Sequence, residues 1–285
     1  MYQGTRGARV RVGEIEIEYE GHGKGERPFV LVHGFTGSRD DWREVLPPLA
    51  KHGRTVALDQ RGHGGTSNSG DPAAYRLAQL RDDLLGFLDA LGIDRCDLLG
   101  HSMGGAVALR LVLDHPGRVA SLVLMDTAAE PIATGARRFF EAGAKLAREQ
   151  GMEALYQVSR AASERDPNRP PSVTHCIERM GPDLHWSRIQ AKLLAMDPVA
   201  FGALGAELTE AAGVADRLGE IRCPTTVLVG SEDTPFRHPS DTLARGIPGA
   251  RQVVIANAAH CPQLENTEAW LTAVEGHLAR ARSVS

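Results

Sequence analysis

Apolar residues follow two different patterns along the chain. In segments 10–12 and 15–19 apolar and polar residues alternate, with Gly13-Glu14 between them, which predicts an antiparallel hairpin. From Phe29 onward the apolar residues form short continuous runs, most of them followed by Gly, His or Asp, as is typical of buried strands. The runs cover residues 29–32, 55–58, 96–99, 122–125, 226–229 and 252–255.

Helical patterns separate these runs. Leucines at 77, 80, 84, 85, 88 and 91 are three or four residues apart in most steps and form one apolar stripe. Alternation of strand and helix predicts an α/β fold with a mostly parallel, doubly wound sheet. In such a fold, ligands bind beyond the carboxyl ends of the strands.

One interval is too long for an ordinary crossover. About a hundred residues separate the run ending at Met125 from the next run, and they show helical but no strand periodicity. We therefore expect a core formed by 1–129 and 222–285, with a helical lid at 130–221. Among the apolar residues of the insert, we expect Phe139, Trp186 and Met196 to contact a substrate. The polar tail 279–285 is expected to fray.

A serine lies where a nucleophile is expected. Gly100-His101-Ser102-Met103-Gly104 follows a buried run and opens a helical segment, the strand-turn-helix setting of a nucleophile elbow. A serine hydroxyl is a weak nucleophile at neutral pH and needs a neighbouring general base.

His260 is the best candidate for that base, because it follows the last predicted strand at the same sheet edge as Ser102. An acid must orient it, and Asp233 follows the preceding predicted strand, giving the chain order Ser, Asp, His. Asp126 competes with Asp233 for this role. Of the other histidines, His63 belongs to a glycine-rich turn, His101 is held beside the serine, and surface positions are expected for His22, His52, His115 and His277.

Two backbone amides complete the predicted site. Gly34 and Phe35 follow the run 29–32, where the amide of Phe35 can pair with that of Met103 to bind a developing oxyanion. The start of the helix after Ser102 adds a favourable dipole.

Composition excludes several other classes of protein. The 285 residues include 32 basic and 36 acidic side chains, a net charge of −4 that predicts neither nucleic-acid binding nor attraction to an anionic membrane. Four scattered cysteines form no CxxC pair, so we expect reduced thiols and a cytoplasmic location. No apolar run is long enough to span a bilayer. Nothing indicates a metal or organic cofactor. The sequence does not indicate the oligomeric state, and a homo-oligomer is one of the possibilities.

Together the motifs resemble the α/β-hydrolase fold superfamily, in its lid-bearing serine hydrolases. The matching segments are Leu31-Val-His-Gly-Phe35, Asp59-Gln-Arg-Gly-His-Gly64, Gly100-His-Ser-Met-Gly-Gly105, Gly230-Ser-Glu-Asp233 and the loop of His260. The resemblance implies that Ser102, Asp233 and His260 form the catalytic triad. It also implies that the 59–64 turn is structural and shapes the edge of the site.

The resemblance leaves several activities open. Serine at position 102 excludes the branch similar to haloalkane dehalogenases and epoxide hydrolases, which attack with an aspartate there. The segment 33–37 and Trp42 resemble the cyclohexadiene-carboxylate synthase of menaquinone biosynthesis, but Ala106 stands where that family usually has an arginine. Carbon–carbon hydrolases of ring-fission products usually carry a more glycine-rich loop than Gly34-Phe35-Thr36.

Lactonases acting on enol-lactones and cofactor-free haloperoxidase-like esterases match equally well, and both cleave an acyl–oxygen bond. We therefore expect a hydrolase of a small, mostly apolar carboxylic ester or lactone, acting without a cofactor on a small-molecule partner. A non-catalytic ligand-binding protein on the same fold is the competing class.

Overall fold

Strands and helices alternate along the chain as the hydrophobic pattern predicts. The computed structural model describes residues 5–132 and 135–283. The strands are β1 (Thr5–Val12), β2 (Ile15–His22), β3 (Phe29–Val32), β4 (Thr55–Leu58), β5 (Cys96–His101), β6 (Val119–Met125), β7 (Thr225–Gly230) and β8 (Arg251–Ile255). The α-helices are α1 (Leu46–Leu49), α2 (Leu77–Ala90), α3 (Met103–Asp114), α4 (Gly135–Arg165), α5 (Pro171–Met180), α6 (Pro182–Leu194), α7 (Pro198–Glu210), α8 (Thr234–Gly246), α9 (Pro262–Glu265) and α10 (Thr267–Ser283). Short 3₁₀ helices cover Arg39–Trp42, Ala50–His52, Pro72–Ala74, Pro116–Arg118 and Ala215–Glu220.

The strands form one sheet in the order β1-β2-β4-β3-β5-β6-β7-β8. All pairs from β4 to β8 are parallel, whereas β1 and β2 form the predicted antiparallel hairpin, with Val12 opposite Ile15. Strand β2 pairs antiparallel with β4 and so joins the hairpin to the parallel part. The predicted α/β fold with a mostly parallel sheet is confirmed.

Each face of the sheet is covered by helices. In β3, Val30 and Val32 pack into the core on the side of α2 and α3, whereas Leu31 packs on the opposite side with Trp42 and Trp270. Because successive side chains of a strand point to opposite faces, a run that is apolar at every position needs cover on both sides. This explains why the central strands are apolar at most positions.

The long interval between β6 and β7 is helical, as predicted. It carries α4 to α7, and α4 is broken at Gly151, whose φ of 85° is outside the helical range. The insert meets the core through polar contacts, including one from Lys192 to Asp41 and one from Tyr75 to Asp197. The proposed limits of the lid, 130–221, stay a prediction.

Two expectations about the C-terminal segment are wrong. His277, expected at the surface, is 2% exposed and bonds through its ring nitrogens to Thr226 and Ser121. The expected fraying from residue 279 is not observed, because α10 continues to Ser283 and Arg282 contacts the buried carboxylate of Asp97. Residues 284 and 285 lie outside the described part.

Within the described ranges, none of the helices combines the length and the apolar character that a membrane crossing requires.

Candidate active site

Ser102 occupies a strained turn between β5 and α3. Its φ of 52° and ψ of −116° lie where residues other than glycine are rare. The turn is held from two sides, because the amide of Ser102 donates to the carbonyl of Met125 at 2.9 Å and the hydroxyl of Thr127 donates to the carbonyl of Ser102 at 2.7 Å. The surrounding structure therefore fixes this serine at the carboxyl end of the sheet.

Glycines allow the turn to pack closely. A Cβ atom on Gly100 would lie 2.3 Å from the carbonyl oxygen of Gly104, and one on Gly104 would lie 2.4 Å from the carbonyl oxygen of Val32. Both distances are far below van der Waals contact with rigid backbone. The spacing of glycines around Ser102 therefore reflects space as well as backbone conformation.

His260 and Asp233 lie together as the sequence predicts. Nδ1–H of His260 donates to Oδ2 of Asp233 at 2.7 Å. The Asp233 side chain is buried, whereas the His260 side chain is 39% exposed. Because Nδ1 is used by this bond, Nε2 is the nitrogen left for proton transfer. Ser102 and His260 line one cavity.

The histidine beside the serine supports His260. Nε2–H of His101 donates to the carbonyl oxygen of His260 at 2.8 Å, and the two rings lie 4.8 Å apart. Burial lowers the pKa of His101 to about 3, so this ring is neutral at physiological pH. The ring of Phe236 also packs against the ring of His260, again with 4.8 Å between centroids. Sequence reasoning missed both contacts.

Asp126, the competing acid, lies in the same cluster but makes a different contact. Its Oδ1 accepts a hydrogen bond from the amide of Gly230 at 2.9 Å. One oxygen or ring nitrogen from each of Asp126, Asp233 and His260 lies within 4.8 Å of the others. A cation bound there would compete with the existing bond between Asp233 and His260, so we interpret the cluster as a hydrogen-bonded one.

The loop after β3 approaches the serine from the other side. A Cβ on Gly34 would lie 3.0 Å from Cβ of Ser102, so the backbone leading to Phe35 passes close to the hydroxyl. His33 holds this loop, since its Nδ1–H donates to the carbonyl of Gly34 and its Nε2 accepts from the amide of Gln60. Burial lowers the pKa of His33, which favours this neutral ring.

The amide of Met103 lies before the first intrahelical hydrogen bond of α3. The first amides to bond to the carbonyl of Ser102 are those of Gly105 and Ala106. Amides at a helix N-terminus lack an acceptor within the helix. Met103 therefore provides an amide beside Ser102, and both Phe35 and Met103 line the cavity. Their role as an oxyanion hole stays a prediction.

The cavity has a volume of about 240 Å³ and mostly apolar walls. Besides the residues already named, its walls include Leu77, Arg110, Ile132, Phe140, Glu207 and Leu208. None of the three aromatic or sulfur-containing residues predicted to contact substrate is among its described wall residues. Phe139 is 65% exposed on the outer side of α4, and Trp186 and Met196 are buried within the insert.

The neighbour of Phe139, rather than Phe139 itself, lies where substrate contact was expected. Phe140 lines the cavity, and its ring lies edge-on to that of Phe35, with 5.3 Å between centroids. The prediction of Phe139 is off by one residue, which corresponds to a rotation of about 100° around a helix. The apolar stripe of α4 was too weak a signal to choose between the two.

A buried ion pair joins the insert to the loop that follows β3. Lys192 on α6 bonds to Asp41, whose other oxygen accepts from the amide of Ser38. Burial alone would raise the pKa of Asp41, but the charge and hydrogen bond of Lys192 outweigh it and lower that pKa. The pair therefore connects the insert to the loop carrying Phe35.

Comparison with known proteins agrees with this architecture. The model of the alpha/beta hydrolase fold family matches residues 27–267. The enol-lactonase of Burkholderia xenovorans LB400 superposes with a TM-score of 0.82 at 26% identity, over 95% of this chain and all of that one. A thermophilic esterase of Thermogutta terrifontis, solved with malate bound, gives 0.82 at 27% identity, over 97% of this chain and 99% of that one.

A curated relative matches over a shorter stretch. The RutD protein of Variovorax paradoxus (strain S110), provisionally named a carbamate hydrolase, is 42% identical over 127 residues. That alignment covers 44% of this chain and only 47% of the relative. Relatives named for hydrolytic activities support a hydrolase of this fold. On the family match and the topology together, the chain belongs to the alpha/beta hydrolase fold family.

Proposed function

We propose that this protein is a serine hydrolase that cleaves a small, mostly apolar carboxylic ester or lactone through an acyl-enzyme on Ser102. The observation that carries the proposal is the 2.7 Å bond between His260 and Asp233, next to a strained serine that opens on the same cavity. A nucleophile, a base and an orienting acid are thereby present at one sheet edge.

Each group has a definite chemical role in this proposal. Nε2 of His260 takes the proton of the Ser102 hydroxyl while Oγ forms a bond to the substrate carbonyl carbon. The carbonyl oxygen becomes an oxyanion held by the amides of Phe35 and Met103. Collapse breaks the acyl–oxygen bond, and the leaving alkoxide receives the proton from His260. Water, deprotonated by His260, then attacks the acyl carbon. The bond from that carbon to Oγ breaks, the carboxylic acid leaves, and Oγ regains its proton from His260.

The substrate class follows from the walls of the cavity. A volume of about 240 Å³ holds a small acyl group, and the side chains of Phe35, Leu77, Phe140 and Leu208 favour an apolar one. The likeness to an enol-lactonase and an esterase supports ester or lactone cleavage.

One cation in the wall bears on the alternatives. Arg110 lies one helical turn after Ala106, and its guanidinium donates to the carbonyl oxygens of Ala106 and Ala212. The cyclohexadiene-carboxylate synthase usually has an arginine soon after the elbow. The alanine at position 106 of this chain argues against that lyase. We therefore propose to measure kcat/KM for neutral substrates, namely short esters and neutral lactones, and for acidic ones, namely an enol-lactone and a ring-fission dienoate.

Labelling with a fluorophosphonate tests the nucleophile. The probe should modify Ser102 and abolish turnover of p-nitrophenyl acetate, and Ser102→Ala should lose both labelling and turnover. Ser187→Ala, which changes an exposed serine of the insert, is the matched control and should retain both. Turnover that survives Ser102→Ala would refute the proposal. Saturable ligand binding with no turnover above that variant would instead favour the binding-protein class.

A further inference from the structure

Asp126 is a buried carboxyl group that the proposed reaction does not use. It follows β6 and is completely buried, with a φ of 46°. Its Oδ1 accepts from the amide of Gly230, whereas Oδ2 is buried and receives no hydrogen bond from any donor in the described residues. A buried carboxylate with an unsatisfied oxygen is costly, so its protonation state requires an explanation.

The neighbouring acid supplies one. Asp126 and Asp233 have carboxyl oxygens within 4.8 Å of each other. Two carboxylates this close in a buried site do not both ionise readily, and one of them retains a proton. Burial, together with the charge of Asp233, raises the pKa of Asp126 well above its ordinary value. Asp233 is the one that accepts a hydrogen bond from His260, whereas Asp126 makes no such contact.

The geometry points to Asp126 as a neutral carboxylic acid whose O–H donates a hydrogen bond to Asp233 and so positions the Asp233–His260 pair. This inference rests on the proposed function, in which that pair activates Ser102. Oδ1 of Asp126 is fixed by Gly230, so a proton on Oδ2 satisfies the second oxygen. Asp126 is thus a positioning residue that acts through Asp233.

The groups around Asp126 favour the neutral form. The titratable side chains that face it or its partner are Asp233, His260, Glu265, Cys261 and His101. Glu265 adds negative charge when ionised, although burial raises its pKa. Burial raises the pKa of the Cys261 thiol and lowers that of His101 to about 3, so neither is charged at neutral pH.

Two variants separate the hydrogen bond from the charge. Asp126→Asn keeps an acceptor for Gly230 and a donor for Asp233, and asparagine tolerates the positive φ. Asp126→Gly tolerates the same φ and removes both. We expect kcat of the Asn variant within about threefold of wild type, and that of the Gly variant lower by about tenfold or more with KM nearly unchanged.

A second measurement reads the charge without turnover. In the Ser102→Ala protein, NMR titration of the His260 ring with Asp or Asn at position 126 should give midpoints within about 0.3 pH unit. Removing an ionised Asp126 at this distance would lower the midpoint by about one pH unit or more. That decrease, or a Gly variant with unchanged kcat, would overturn the inference. If Ser102 proves not to be the nucleophile, the titration still reports the charge of Asp126, so the two failures are distinguishable.

Discussion

His101 and His260 are joined through the side chain of the first and the backbone of the second. The imidazole of His101, directly before the serine, donates to the carbonyl oxygen of His260 at 2.8 Å. The strand that presents Ser102 therefore also holds the loop that presents the candidate base. A substitution of His101 that removes this hydrogen bond should therefore shift His260 while leaving its side chain present.

We accordingly predict a defect in kcat for His101→Phe, which keeps a planar ring but loses the N–H donor. A freed His260 loop should lower kcat by about tenfold to a hundredfold, because a small misplacement of a catalytic group has a large effect on rate. His101→Gln, which retains a donor, should be closer to wild type. Steady-state kinetics with p-nitrophenyl acetate measures this, and equal kcat values for the two variants would contradict it.

Neighbouring phenylalanines on α4 provide a matched pair for substrate binding. Phe140 lines the cavity and contacts Phe35, whereas Phe139 is 65% exposed. Phe140→Ala should raise KM for apolar esters, because a large apolar wall is removed, by about tenfold or more. Phe139→Ala should leave KM within about twofold. The prediction fails if both substitutions affect KM alike.

Close backbone packing at the serine turn predicts a strong effect of one methyl group. Gly104→Ala places Cβ 2.4 Å from the carbonyl oxygen of Val32, so we expect a loss of about 2 kcal/mol or more in the free energy of unfolding. Gly117→Ala is the control, because a Cβ there meets nothing within 4 Å. Urea unfolding of both variants checks this, and similar midpoints would show that the turn can relax.

The pair formed by Lys192 and Asp41 should matter most when only one partner is removed. Lys192→Met leaves a buried carboxylate without its cation and should destabilise the protein by about 3 kcal/mol. The double variant with Asp41→Asn should recover part of that loss. Arg137→Met, which breaks exposed pairs with Glu141 and Glu210, should leave stability nearly unchanged. Thermal unfolding of the four proteins distinguishes these outcomes, and an undiminished loss in the double variant would rule out an unpaired charge as the cause.

Buried His277 predicts acid sensitivity. Burial lowers its pKa to about 4, from 6.5 in the unfolded chain. Between these values the unfolded state binds more protons, so this contribution to stability is present above pH 6.5 and decreases as the pH falls toward 4. The decrease should be about 2 kcal/mol between pH 7.5 and 5.

Comparison with His277→Gln isolates that contribution, because other buried groups titrate in the same range. The variant should lose less stability between pH 7.5 and 5 than wild type, whereas exposed His52→Gln should behave as wild type does. Equal losses in wild type and His277→Gln would show that His277 is not responsible. Urea unfolding at both pH values provides the measurement.

Residues at the ends of strands were the most predictable part of the site. Ser102 and Asp233 each follow a fully buried strand, and His260 follows β8, which was expected to be buried but is a largely exposed edge strand. Their placement at one sheet edge nevertheless followed from chain order alone. The order of the strands within the sheet could not be predicted from the sequence. The central runs are apolar at nearly every position, so their patterns carry no information about which run lies beside which.

Side-chain direction within helices was less predictable. Phe139 and Phe140 differ by one position, and the sequence of α4 did not specify which faces the cavity. His277 is an instructive exception, since it lies seven residues after Trp270 and three after Val274, on the buried stripe of α10. That spacing would have been enough to predict its burial, although a surface position was expected. The environment of Asp126 depended on contacts between strand ends, which no local pattern contains.

The insert leaves and re-enters the sheet at two adjacent parallel strands, where Met125 lies beside Leu228. Sheet register is therefore independent of how many residues lie between these strands. We therefore expect that this segment can be shortened, lengthened or exchanged while Ser102, Asp233 and His260 keep their positions. For protein engineering, this segment is therefore a suitable place to graft a replacement, provided that the replacement restores a cation opposite Asp41.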